Sequence, residues 1–195
     1  MGMILSETNL AGAYVVDIDH QVDNRGYFAR VFCDDEFSDR GLEFSVKQAC
    51  LSVNAKRGTL RGLHFQYLPA TEKKYVRCVR GALVDVIVDL RPESATYLQH
   101  LTIELSAESG RGLYIPERFA HGYITLRDDT EVSYLIGNVY TPAAQGTLRY
   151  DDPHLRIDWP LPVHVISDRD QQASSFFELE AKLRDCMTAR ESMTV

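Results

Sequence analysis

Short apolar runs broken by turn residues fill most of the chain, and a helical period appears only near its end. Residues 14–18 predict a first strand, and 21–26 a turn whose glycine supplies a positive φ. A short strand over 27–32 and one or two helical turns over 34–41, closed by Gly41, follow. Further strands are predicted over 44–53, 75–79 and 82–90, the last two separated by the tight turn Arg80-Gly81. The run 82–90 is apolar on both faces, which predicts a strand covered on both sides. Strands over 100–105, 112–115, 122–126 and 130–136 continue the pattern. Many short strands without strand–helix alternation predict an all-β sandwich or barrel. Near the end, Phe176, Leu179, Leu183 and Met187 are spaced by three or four, so 171–189 predicts a C-terminal helix that packs on the core. No repeat, low-complexity tract or boundary divides the chain, and one domain over 1–195 is expected.

Two stretches depart from simple patterning. In 57–66, period two puts Thr59, Arg61, Leu63 and Phe65 on one face and Leu60, Gly62, His64 and Gln66 on the other. Neither face is cleanly apolar, as expected of a strand with one side packed and the other lining a cavity. Gly62 would allow close approach of backbone or ligand. Residues 113–123 again set a histidine, His121, beside a glycine at the start of an apolar aromatic run. Strands would project Arg61, His64, Lys74, His121, Tyr134, Tyr140 and Asp170 inward. Cations, histidines and tyrosines around one cavity suit an anionic polar ligand and proton transfer. Each also has a plainer reading: a hydrogen-bonded core histidine, a lysine on a solvated face, a tyrosine packed with its hydroxyl satisfied. Asp85, inside the run 82–90, reads first as a carboxylate satisfied by an arginine or a backbone donor.

Composition narrows the field. A net charge of −7 and a pI near 5.3 argue against a nucleic-acid footprint, although a small anion could still meet locally converging cations. No apolar run approaches the ~20 residues of a membrane helix, and residues 1–12 lack the pattern of a secretory signal. The cysteines Cys33, Cys50, Cys78 and Cys186 form no CxxC pair, which fits reduced thiols in a cytoplasmic protein and gives no expectation of zinc.

Several blocks together carry a resemblance: Leu60-Arg61-Gly62-Leu63-His64-Phe65-Gln66, Lys74-Tyr75-Val76-Arg77-Cys78 and the run from Asp85 to Arg91. Ile115-Pro116-Glu117-Arg118-Phe119-Ala120-His121-Gly122, Asp151-Asp152-Pro153, Ile157-Asp158-Trp159-Pro160 and Ile166-Ser167-Asp168-Arg169-Asp170 complete it. In this order, from Arg25-Gly26-Tyr27-Phe28 onward, the chain resembles the dTDP-4-dehydrorhamnose 3,5-epimerase family. The resemblance implies a cupin-type jelly roll and a homodimer in which an N-terminal segment reaches the partner's sheet and site. It implies a nucleotide-diphospho-4-keto-sugar as substrate, and neither cofactor nor metal. Related metal-binding cupins use a histidine pair and a glutamate on the strand of His64, where this chain has Phe65 and Gln66.

Position by position, His64 resembles the general base, Asp170 its carboxylate partner, Lys74 the cation facing the enolate oxygen, and Tyr134 the acid on the opposite sugar face. Arg25, Phe28, Arg30, Gln48, Arg61 and Tyr140 resemble nucleotide or sugar contacts, with Arg25 expected in the other subunit's site, and His121 a supporting residue of the cavity. The chain also departs from the family pattern. Leu135 follows Tyr134 where rhamnose-pathway members typically carry lysine, and Cys50 stands where many have asparagine. Arg30 occupies a position where an acidic residue often contacts the thymine nucleotide, and a cation cannot read the same base edge. A guanosine- or cytidine-linked sugar, a heptose included, therefore stays open, as does inversion of one carbon or both. A 3,4-ketoisomerase and a non-catalytic sugar-nucleotide binding cupin are the alternatives; His64, Asp170 and Tyr134 together favour epimerisation.

Overall fold

Every residue of the run that reads as apolar on both faces is buried, and the reason organises the architecture. A computed structural model describes residues 2–189. In it, β8 (Ala82–Asp89) is an inner strand of a five-stranded antiparallel sheet. Its order is β13 (Gln145–Thr147), β6 (Leu60–Gln66), β11 (Phe119–Thr125), β8, β9 (His100–Ser106). A six-stranded sheet faces it, in the order β1 (Met3–Glu7), β2 (Tyr14–Ile18), β10 (Gly112–Ile115), β7 (Lys74–Arg80), β12 (Thr130–Ile136), β5 (Gln48–Asn54). Leu83 and Ile87 of β8 join Val76, Cys78, Leu113, Phe119 and Val132 in the core between the sheets. The alternate residues Val84 and Val86 face away, under Ile157, Trp159, Leu161 and Val163 of the segment that follows the sandwich. The fold is thus all-β, two packed sheets of the jelly-roll kind, with the inner strand β8 covered on both faces.

The outer faces are covered unequally. Over the five-stranded sheet lies α3 (Phe176–Met187), whose Phe176, Leu183 and Met187 pack on Leu63, Phe65 and Val88. Each such buried side chain contributes about 2 kcal/mol. The six-stranded sheet is covered near Tyr75 and Tyr114 by Phe37 of α1 (Asp34–Ser38), with Leu42 and Phe44. Further along that sheet, Leu51 and Val53 of β5 stay exposed.

The pattern-based bounds change in places. The helix expected over 171–189 is α3, which starts later, at Phe176; the short α2 (Asp168–Gln171) precedes it, parted by 172–175. The break is chemical. The Ser175 backbone N–H donates to Glu178 Oε2 at 2.7 Å, in a capping box that starts a new helix there. The turn expected over 21–26 is a hairpin of β3 (Gln21–Asp23) and β4 (Gly26–Phe28), so the strand expected over 27–32 ends early. Strands β1 and β13 carry no clear alternation and come from pairing with β2 and β6. The single-domain expectation also spans Met1 and 190–195, which lie outside the described residues.

Candidate active site

One end of the sandwich is lined by polar side chains. Register decides which of them face it. In β12 and β5, Tyr134 stands opposite Cys50, Ile136 opposite Gln48 and Val132 opposite Ser52. Because Val132 belongs to the inter-sheet core, Tyr134, Ile136, Gln48, Cys50 and Ser52 share its inward face. Lys74 of β7, opposite Ile136, does so too. On the facing sheet, Tyr123 of β11 is core-facing, and His121 lies two residues before it. These side chains, with Arg61, His64, Gln66, Glu72, Tyr140 and Gln145, line a cavity of about 370 Å³.

Strict alternation cannot put both Arg61 and His64 there, since they are three residues apart. The structure solves this with a bulge. His64 pairs with His121 and Arg61 with Tyr123, so three steps on β6 oppose two on β11. The expected faces of 57–66 are therefore corrected: parity changes at Gly62 and Leu63, and both side chains turn inward. The bulge needs glycine on both strands. Gly62 has φ +133°, and a Cβ on it would lie 2.5 Å from the Cα of Gly122.

His64 Nε2 lies 2.7 Å from Asp170 Oδ1. The other carboxylate oxygen accepts from the Gly62 N–H at 3.2 Å, and Ser167 Oγ accepts from the Asp170 N–H at 3.1 Å. The cap of α2 thus fixes a carboxylate behind a strand far away in sequence. Burial would raise the Asp170 carboxyl, but the hydrogen bond and charge of His64, with the Gly62 and Ser167 bonds, outweigh it and hold it below its ordinary value. With Nε2 engaged, Nδ1 of His64 remains for the cavity.

A second pair stands beside the first. His121 Nε2 lies 2.9 Å from Asp85 Oδ2, both buried, which corrects the expectation that an arginine or backbone donor satisfies Asp85. Asp85 Oδ1 has no hydrogen-bond partner among the described residues. The His121 ring meets Tyr134 edge-on, centroids 6.0 Å apart. Burial raises the Tyr134 phenol well above its ordinary value; Tyr123 and Asp85 add to this, and Arg61 opposes it. The phenol is therefore held protonated, the form a donor requires.

Supporting bonds position the rest. Arg61 Nε donates to Asn54 Oδ1 at 2.8 Å, and Tyr123 OH bonds Ser52 Oγ at 2.8 Å. Gln48 Oε1 accepts from the Tyr140 N–H at 3.0 Å, and the Tyr140 hydroxyl donates to Gln145 at the mouth. Lys74 is 7% exposed, not on a solvated face, and its ammonium lies 3.0 Å from Glu72. Sequence reasoning missed Ser52, Glu72, Tyr123 and Gln145. Tyr123 carried a signal, two residues past His121; Glu72 sits in a loop that the pattern marks only as polar.

Three candidate contacts lie elsewhere. Arg25 and Phe28 sit on the β3–β4 hairpin, where Phe28 is 68% exposed and Arg25 bonds Asp23. Arg30 donates to Glu36 Oε1 at 2.7 Å. None of the three lines this chain's cavity. Among the described residues, no three histidine, cysteine, aspartate or glutamate side chains gather in a metal-binding cluster, and no helix is long and apolar enough to cross a membrane.

Comparison with known proteins adds to this geometry. The family model of dTDP-4-dehydrorhamnose 3,5-epimerase matches residues 7–178. A dTDP-4-dehydrorhamnose 3,5-epimerase of Sinorhizobium fredii is 42% identical over 158 residues, which cover 80% of this chain and 81% of the relative. A dTDP-4-dehydrorhamnose 3-epimerase of Streptomyces niveus is 37% identical over 172 residues, 88% of this chain and 83% of the relative. The crystal structure of the dTDP-6-deoxy-D-glucose-3,5-epimerase of Legionella pneumophila, in complex with dTDP-4-keto-L-rhamnose, superposes with a TM-score of 0.88 at 32% identity. That likeness covers 93% of this chain and 97% of the other.

Proposed function

The chain belongs to the dTDP-4-dehydrorhamnose 3,5-epimerase family and is an epimerase of that class, and we propose that it inverts carbon beside the ketone of a thymidine-diphospho-4-keto-6-deoxy-sugar through His64 and Tyr134. One observation carries this reading: the two side chains enter a single cavity from opposite sheets. A sugar ring between the sheets presents one face to each.

The 4-keto group acidifies the hydrogens on its neighbouring carbons, so the ketone itself receives the electrons. His64 removes the proton through Nδ1, and the Asp170 carboxylate stabilises the imidazolium that results. The enolate oxygen gains charge in that step, and the Lys74 ammonium opposes it with a fixed positive charge where water is scarce. Tyr134 then delivers a proton from the other face, which inverts the carbon; return from His64 would restore the starting configuration. Arg61, with Tyr140 and Gln48 at the mouth, holds the charged and polar parts of the nucleotide-sugar.

We further propose that two copies of this domain pair in the cytoplasm, each lending its β3–β4 hairpin to the other's cavity. Support comes from the exposed apolar surface of Val22, Tyr27 and Phe28 beside Arg25, which is without purpose in one chain alone. In the single chain Arg30 pairs with Glu36, away from the cavity. The thymidine reading rests on the family match and not on Arg30.

The test is turnover of dTDP-4-keto-6-deoxyglucose in deuterated water, with label read by NMR at both carbons flanking the ketone. Deuterium at both gives a 3,5-epimerase, and at one a mono-epimerase. No label at either carbon contradicts the proposal.

A further inference from the structure

Among the described residues, Glu72 is the one carboxylate lining the cavity. That position is costly for a site that receives a diphosphate, because a negative charge in a confined space repels the ligand. Its geometry shows what offsets the cost. Glu72 Oε1 lies 3.0 Å from Lys74 Nζ, with the two side chains 12% and 9% exposed. Glu72 Oε2 accepts from Gln66 Nε2 at 3.1 Å. The same Gln66 amide donates to the Ala70 carbonyl at 2.8 Å and accepts from the Thr141 N–H at 2.7 Å. Gln66 therefore ties the loop that carries Glu72 to the loop that carries Tyr140, and the carboxylate is gripped from both ends.

We propose that Glu72 is a positioning residue for the reaction: its ion pair holds the Lys74 ammonium in place, facing the oxygen of the substrate ketone. This rests on the reading of Lys74 as the group facing the enolate. A cation stabilises a developing oxyanion only if it is held where that charge appears, and the long lysine side chain needs an anchor to stay there. The ion pair with Glu72 Oε1 fixes where the ammonium sits, and its three N–H donors stay available to the ketone oxygen. With both its oxygens engaged, Glu72 acts on the chemistry through Lys74 and not as a second base.

The experiment uses the full chain, with Glu72→Gln as the main variant. Glutamine keeps the length and an oxygen for Gln66 but removes the charge. The expected result is a split: kcat falls by about 10-fold or more, while KM for the dTDP-sugar is unchanged or lower and dTDP binds more tightly by calorimetry. Glu72→Asp, which keeps the charge at shorter reach, is expected to recover part of kcat, and it carries the test if the glutamine variant does not fold. Lys74→Met separates this inference from the reading beneath it. If Lys74→Met leaves kcat intact, the role of Lys74 is wrong. If Lys74→Met lowers kcat and Glu72→Gln does not, only the role of Glu72 is wrong. In the Lys74→Met background, Glu72→Gln is expected to cost no further kcat; an undiminished loss there, or a higher KM at unchanged kcat, overturns the proposal.

Discussion

Two histidine–aspartate pairs stand side by side in this protein, His64 with Asp170 and His121 with Asp85, and their histidines are register partners on neighbouring strands. The parts are the same and the surroundings differ. His64 is 34% exposed in its side chain and its aspartate 5%, whereas His121 and Asp85 are 5% and 0% exposed. Asp170 has its second oxygen bonded to the Gly62 N–H; the second oxygen of Asp85 has no partner among the described residues. A pair that must gain a positive charge during turnover needs a stabilised carboxylate and a ring that substrate can reach. His64 has both. The enclosed pair stands beside Tyr134 and Tyr123, its His121 forms part of the cavity wall, and Asp85 adds to the rise that burial mainly causes in the Tyr134 phenol. The lesson is that residue identity nominates two candidate bases, and access is what favours His64 in the proposed reaction.

His64→Ala attacks the comparison where the effect is largest. It is expected to lower kcat by about 10³-fold, within the range of a lost general base, and to stop deuterium entering the sugar while dTDP still binds. Loss of nucleotide binding in step with exchange would remove His64 from the role of base. Asp85→Asn sharpens the other half. Replacing the partner of a buried histidine is expected to cost about 1–3 kcal/mol of stability, read as a lower urea midpoint, with kcat changing less than about 10-fold. A collapse of kcat to the level of His64→Ala, at unchanged stability, would make the buried pair the chemical one.

How much of this was legible in the sequence varies with the range of the interaction concerned. The covered strand was plain in the run 82–90, because burial on both faces leaves an unbroken apolar record. The C-terminal stripe was equally plain, and all that changed was its start, fixed by a local cap at Ser175. How Arg61 and His64, three residues apart, could both turn inward was not legible. It depends on Gly62 meeting Gly122 across a strand pair, and nothing in either stretch alone states that they oppose one another. Resemblance, not patterning, joined Asp170 to His64, since the two are brought together by a capped turn over 100 residues away. Glu72 escaped notice because a glutamate between Thr71 and Lys73 in a polar loop reads as solvated until the pairing with Lys74 is seen. For Arg25 and Phe28 the fold of one chain provides no cavity contact, which is why the second copy enters the account at all.

The central claim is that proton removal and proton delivery come from opposite sheets. Tyr134→Phe in deuterated water tests it most directly, with label in recovered substrate and formation of the inverted sugar followed in one NMR time course. The account predicts that substrate still takes up deuterium through His64 while inversion slows by about 10²-fold, the scale of a lost general acid. Inversion and exchange continuing at matched rates in that variant would contradict it.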